Sequence, residues 1–571
     1  MESQDAPFSS KFNTNYTPTD DEVCQIKDIL SAPLATVHRL EEEKVNIRRQ
    51  IKRLQKDYDA LNEESSAILS KPRVAAYQAL LAPMRRLPPE VLQEIFIFSI
   101  PATSYALMTR HDTPVSLTQV CQLWRQVAIA TPAVWSSIHI PIHYPSERSS
   151  INAAKETLEL RLRVVQEWLC RSRAHTLRIS IFDPHPRHYN ELEEARGKLF
   201  DALFEVSKRW GKVKVETTPQ VLQRFAQELS SEDVPLLESF EVKTCLTRRQ
   251  ARDPLIIWGA SKLLAAPKLR QFTTNTISES VRDFELPFKQ LTRLELGHGL
   301  HEDKIPFISL SRLAWMLMPM KSLVHGAFVV SQAAFEFPKV PIRLPALEYL
   351  EIVEHGVDVN MSELFQRLLL RRLKHLKYLA CRLSRHQSPH PLPLLLGVAG
   401  AGATLQILEV DGKMFYSKDS ILECLRCAPN LHSLSFVNST KGKPIMDLYL
   451  AEYFDDTLLD ALISSETTGA QFLLPKLKNL IIQIPANFTQ NVISEFLGFR
   501  SGNIDGVPVV KLERFSIVLY DKRPLDGGID RMRAYPIDEG LKLEIEYLYV
   551  TDNEAIVFRA DEGLEDSEMA T

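Results

Sequence analysis

Several things are scarce in this chain of 571 residues, and each scarcity removes a class of protein. It has no basic surplus: 68 Lys and Arg stand against 72 Asp and Glu, a formal net charge of −4, so the overall charge does not point to nucleic acid. Cysteine is sparse. The seven residues are scattered and odd in number, which fits unpaired thiols in a reducing compartment better than a disulfide framework. The opening stretch, MESQDAPFSSKFNTNYTPTD, lacks the basic-then-apolar pattern of a secretory signal. The longest apolar run, near Leu392 to Ala403, is shorter than the roughly 20 residues that a bilayer crossing needs. Pro391 and Pro393 crowd its start. These features predict a soluble intracellular protein, cytoplasmic or nuclear, with neither membrane nor nucleic acid as partner. Matches to N-x-[ST], such as Asn360 to Ser362, are then fortuitous.

Catalytic and ligand-holding motifs are missing as well. There is no G-x-S-x-G and no H-E-x-x-H. Cys424 and Cys427 form a lone C-x-x-C inside a helical pattern, two ligands short of a zinc site. His185 and His188 fall in a proline-containing loop, and His301, Glu302 and Asp303 read as a charged surface turn. GVAGAGA, from Gly397, does not fit G-x-G-x-x-G because position 405 is Leu405, and it lacks the Lys-Ser/Thr of a phosphate loop. The expectation is a protein without catalytic residues, metal or cofactor.

What remains is an ordinary globular composition, 45% hydrophobic and 25% charged, in a chain too long for one core. Its length predicts roughly two to four units or one elongated array. Residues 1–20 are polar without periodicity and are expected to be disordered; residues 561–571 read as a frayed acidic tail. Between them, residues 21–72 predict a heptad-patterned helix. Val37, Lys44, Ile51, Tyr58 and Ser65 share one seam position, and Leu40, Ile47, Leu54, Leu61 and Ile68 share the other. Pro72 ends the pattern. Two readings stand: a homodimeric coiled coil through residues 37–69, or a single helix packed on its own chain.

From about residue 150 to 560 the texture changes. Helical patterns alternate with short runs of the form L-x-x-[LF]-x-[apolar or Thr]. Nine such runs begin at Leu237, Leu269, Leu291, Leu347, Leu376, Leu405, Leu431, Leu477 and Leu512, with Leu323 a poor candidate in the longest gap. Strands following helices are also expected at HTLRISIF, from His175, and GKVKVE, from Gly211. A unit of one strand and one helix cannot bury its apolar face alone, so such units stack. The template resembles leucine-rich repeats, which implies an irregular α/β solenoid. One departure stands out: the Asn or Cys usual eight residues after the first Leu is present only as Cys245.

Between helix and array lies a helical stretch, 77–137. Pro88 and Pro89 preorganise a helix start, Glu90 suits its dipole, and Val91, Leu92, Ile95, Phe96 and Ser99 mark an apolar face that stops at Pro101. A second helix carries Leu117, Val120, Cys121, Trp124, Val127 and Ala128 on one side, followed by Trp135. So small a unit has more apolar surface than it can bury, and the rest must meet something else.

LPPEVLQEIF (from Leu87), LTQVCQLWRQVA (from Leu117) and TPAVWSSI together resemble an F-box. The whole is similar to F-box proteins common in fungi: a long N-terminal helix, a small all-α F-box, then an irregular leucine-rich-repeat array, α/β overall. The resemblance implies docking on the Skp adaptor of a Skp–cullin–F-box ubiquitin ligase, with no chemistry of its own and an unknown protein substrate on the repeats. It also implies a first docking segment of Leu87, Pro88, Glu90, Val91, Leu92, Ile95 and Phe96. Leu117, Val120, Cys121 and Trp124 supply the second segment or its supporting core. Trp124 and Val120 are expected to be at least half core, and Leu87, Pro88 and Leu92 to be the contacts. A non-catalytic F-box scaffold without ubiquitin transfer fits the same residues.

Overall fold

The structure is a computed structural model. It describes the chain except residues 1–6, 9–10, 13–15, 82, 102–103, 143–150, 184–189, 246–257, 259–260, 276–284, 298–306, 333–334, 357–358, 381–390, 398, 416, 439–451, 465–471, 502–508, 521–540, 551–554 and 560–571. His185, His188, His301, Glu302, Asp303 and the acidic tail therefore lie outside the described residues. The chain divides into two compact units, Met1–Leu92 and Gln93–Thr571.

The first unit is dominated by a 50-residue helix, Asp20–Leu69. Its start is a capping box: the Thr19 amide donates to Glu22 Oε2 at 2.8 Å, while Asp20, Asp21 and Glu22 place acid at the positive end of the dipole. Lys11 Nζ at 2.7 Å and Tyr16 Oη at 2.8 Å also donate to Glu22, and the bond from Lys11 is the main reason its carboxyl sits down at about 2. Part of the stretch expected to be disordered thus helps to build the cap. The helix runs through Pro33, which has no amide to give the turn before it. A second helix begins at Pro72, the residue expected to end the first. No residue of the long helix is buried.

The second unit is mixed α/β, built on one 16-stranded sheet among the described residues. Its strands follow chain order from Ser137–Pro141 to Ala555–Arg559, and every pairing within it is parallel until the last, where Lys542–Val550 meets Ala555–Arg559 antiparallel. Helices such as Ile151–Arg171, Asn190–Phe204, Lys418–Arg426 and Gln490–Phe499 connect successive strands. Strands Leu177–Phe182 and Trp210–Thr217 occupy the expected early positions, and the sheet begins earlier still, at Ser137 rather than near 150. Its first strand follows Trp135 directly.

Strand register refines the repeat. Tyr349 pairs with His375, and His375 with Ile407, which puts Leu373 rather than Leu376 level with Leu347 and Leu405. Tyr349 also pairs with His325, so Leu323 opens a full unit. Its template is hidden because Gly326 stands where the second Leu or Phe belongs; a Cβ there would come within 2.8 Å of the Phe328 ring. The ten opening leucines, Leu237, Leu269, Leu291, Leu323, Leu347, Leu373, Leu405, Leu431, Leu477 and Leu512, are between 0 and 2% exposed. Each contributes on the order of 2 kcal/mol by burial. Near the start of the array the core is aromatic, with Trp210, Phe225, Phe240 and Phe272 stacked in sequence at centroid distances of 5.8, 6.3 and 6.2 Å.

The turn-bonding residue comes at a different offset from the one expected. Asn275, six residues after Leu269, accepts from the Thr244 amide at 2.7 Å and donates to its carbonyl at 3.2 Å. Cys245 only reaches Glu216 through its thiol, at 3.8 Å. GVAGAGA serves packing: a Cβ on Gly402 would lie 1.8 Å from the Cys427 carbonyl oxygen, and Gly400 has φ +71°.

Candidate protein-docking surfaces

Helix Pro89–Ser99 crosses the division between the units. Leu87 is half-buried before it, and Pro88, Glu90 and Val91 are exposed. Leu92 and Phe96 are fully buried, one helical turn apart, so they form the helix's packing side. Val91, Ile95 and Phe98 share a flanking side by helical spacing, and Phe98 is 84% exposed. Leu92 was expected among the contacts and is corrected to core. Phe98 escaped the sequence reading because IFIF offers two phenylalanines and only their helical phase separates them.

The second motif lies entirely in the second unit. Leu117 is buried. Val120, expected to be at least half core, is 60% exposed, because the chain turns there before helix Gln122–Ala130. Cys121 is exposed and caps that helix, its sulfur accepting from the Trp124 amide at 3.5 Å. Trp124 is half-buried, its ring 4.9 Å from Phe96, so the structure brings the two motifs together through this pair. Val127 and Ala128 face inward. Ile95, Ile97, Phe98, Val120, Leu123 and Ile129 remain as exposed apolar side chains on these elements.

The second helix is joined firmly to the sheet. Trp135 donates its indole N–H to the Ala128 carbonyl at 2.8 Å, packs edge-on to Trp168 at 4.8 Å, and has the Arg171 guanidinium over its ring at 4.6 Å. Trp168 in turn donates to the carbonyl of Ser137, the first strand residue, at 3.2 Å. TPAVW is therefore an anchor between helix and sheet.

A second surface is the face of the sheet that carries no opening leucines. Register aligns Arg293, His325, Tyr349 and His375 in one row, and Glu295, Ala327, Glu351, Lys377 and Glu409 in the next. The His325 ring stacks on Tyr349 at 4.0 Å and 2°, and His375 meets Tyr349 edge-on at 4.7 Å. His325 Nε2 lies 2.9 Å from Glu295, His375 Nε2 2.8 Å from Glu409, and Tyr349 Oη donates to Glu351 at 2.8 Å. Burial alone would raise the Glu295 carboxyl, but His325 and Arg293 outweigh it and hold the group at about 2. The bond with His375 lowers Glu409. Such a ladder presents an aromatic shelf and hydrogen-bonding edges, with its acids paired across the strands.

Among the described residues, no group of three or more His, Cys, Asp or Glu could hold a metal ion. Cys424 is buried, which pushes its thiol pKa far up, away from a thiolate ligand. No described helix is long and apolar enough to cross a membrane. No protein-family model matches the chain, and no curated protein matches it.

Proposed function

We propose that this protein is the substrate-recognition subunit of a Skp–cullin–F-box ubiquitin ligase. The exposed apolar side of helix Pro89–Ser99 docks a Skp-type adaptor, and through it a cullin. The sheet acts as an irregular leucine-rich-repeat solenoid whose polar face holds the protein substrate. The observation that carries this reading is Phe98, 84% exposed beside exposed Ile95 and Ile97 on a short helix whose other side is filled by Phe96 and Trp124. An aromatic left in water on so well packed an element is a binding anchor. The mechanism is effective concentration: adaptor and substrate are held on one chain, so a lysine and a ubiquitin thioester meet far more often than in solution.

The test is co-purification of the full chain with a Skp-type adaptor, followed by blotting for a cullin. Phe98→Asp is expected to abolish adaptor recovery, and Leu87→Ala with Pro88→Ala to weaken it, with the thermal transition of the sheet unchanged. Equal recovery with all three substitutions in place sinks the docking assignment. An adaptor complex that never contains a cullin favours the scaffold reading.

A further inference from the structure

The long helix leaves a seam exposed from Val37 to Ile68. Upstream, Val23, Ile26 and Leu30 keep the spacing, but Pro33 falls at the seam position between Ile26 and Leu40, and Val23 and Ile26 are half-buried. Val37, Leu40, Ile47, Ile51, Leu54, Tyr58, Leu61 and Ile68 are all at least 45% exposed. At about 1.5 Å per residue this seam is roughly 47 Å long, and a seam of that length facing water is unstable without a partner.

We propose that the partner is a second copy of this chain, in a parallel, in-register, two-stranded coiled coil. The charges flanking the seam select this occupant. In a parallel pair, the residue just before the first seam position faces the residue five further along the other helix. Glu43 then meets Arg48 of the second copy, twice by symmetry. Gln50 meets Gln55 and Asp57 meets Asn62, so no like charges oppose one another. An antiparallel pair centred on the same seam sets Glu43 against Glu64.

Lys44 points the same way. It is the one charged residue in the seam, and its Nζ lies 3.0 Å from Glu41. In the parallel pair two lysines enter one layer beside two Glu41 side chains, while the two Glu43 pair with Arg48; the set is neutral in sum and keeps the ammonium groups at the rim. A polar seam residue of this kind costs stability but fixes register and strand number. Each particle would then present two docking helices and two sheets, independently of what those surfaces bind.

Sedimentation equilibrium of the full chain at micromolar concentration tests this. The expected mass is twice 65.1 kDa, falling to 65.1 kDa in the Ile47→Asp, Leu54→Asp double variant, with the unfolding transition of the sheet unchanged. A second variant, Leu61→Cys with Cys24→Ser, Cys121→Ser and Cys170→Ser, removes the other exposed thiols and should give a covalent dimer under mild oxidation, because parallel, in-register helices bring the two Leu61 positions together while the antiparallel pair holds them about 15 residues apart. A monomeric wild-type chain, a higher oligomer, a dimer indifferent to the two aspartates, or a dimer that Leu61→Cys leaves unlinked would each overturn the proposal.

Discussion

The helix Asp20–Leu69 and the sheet of the second unit are both written in leucine and isoleucine at regular spacing, yet they end in opposite states. In the sheet, ten opening leucines are at most 2% exposed; in the helix, no residue is buried. Periodicity says which side chains share a face, and only long-range pairing decides whether that face is covered. In the sheet each unit covers its neighbour, so the chain completes itself. Among the described residues, the helix keeps its apolar face exposed.

Substitutions at matched leucines break this contrast most sharply. Leu373→Ala, at a fully buried opening position, is expected to lower the stability of the second unit by about 2–5 kcal/mol through lost transfer energy and the cavity left behind. Urea unfolding monitored at the sheet measures it; a change no larger than that of a surface substitution would mean that the register assigned to Leu373 is wrong.

A pH series sharpens the contrast from inside the core. Glu354 is buried beside the Tyr378 hydroxyl, which donates to it, and burial raises its carboxyl from 4.5 to about 7. Its pKa is higher in the folded than in the unfolded chain. Its contribution is therefore fully present below pH 4.5 and is lost as pH rises to about 7, on the order of 3 kcal/mol across that window. Wild type minus Glu354→Gln, measured by unfolding at several pH values, should show this slope; a flat difference would contradict the assignment. The smallest effect is expected at Leu61→Ser, in the exposed seam, which should move unfolding of the sheet by less than about 0.5 kcal/mol. A larger shift would show that the seam is covered by the sheet's own unit.

Much of this was legible in the sequence, for reasons that can be traced to single residues. The heptad, the α/β alternation and most of the repeat starts follow from spacing alone. Leu323 was obscured because Gly326 fills the place of a leucine and the Phe328 ring takes up its volume. Leu376 was mistaken for an opening leucine because LKHLKYL satisfies the template in two phases, and only pairing with Tyr349 and Ile407 selects Leu373. Asn275 went unnoticed because its partner, the Thr244 backbone, lies 31 residues away. Around helix Pro89–Ser99, sequence spacing grouped Val91, Leu92, Ile95 and Phe96 on one wide face. Packing of Phe96 on Trp124 divides that face and turns Phe98 outward.

The central claim is that the side of helix Pro89–Ser99 carrying Phe98 is the docking edge for a Skp-type adaptor. Calorimetric titration of the full chain with purified adaptor tests it most directly. Saturable binding by the wild type that Phe98→Asp removes, with the folding transition retained, is the result the account predicts. No binding by the wild type, or equal binding by Phe98→Asp, would contradict it.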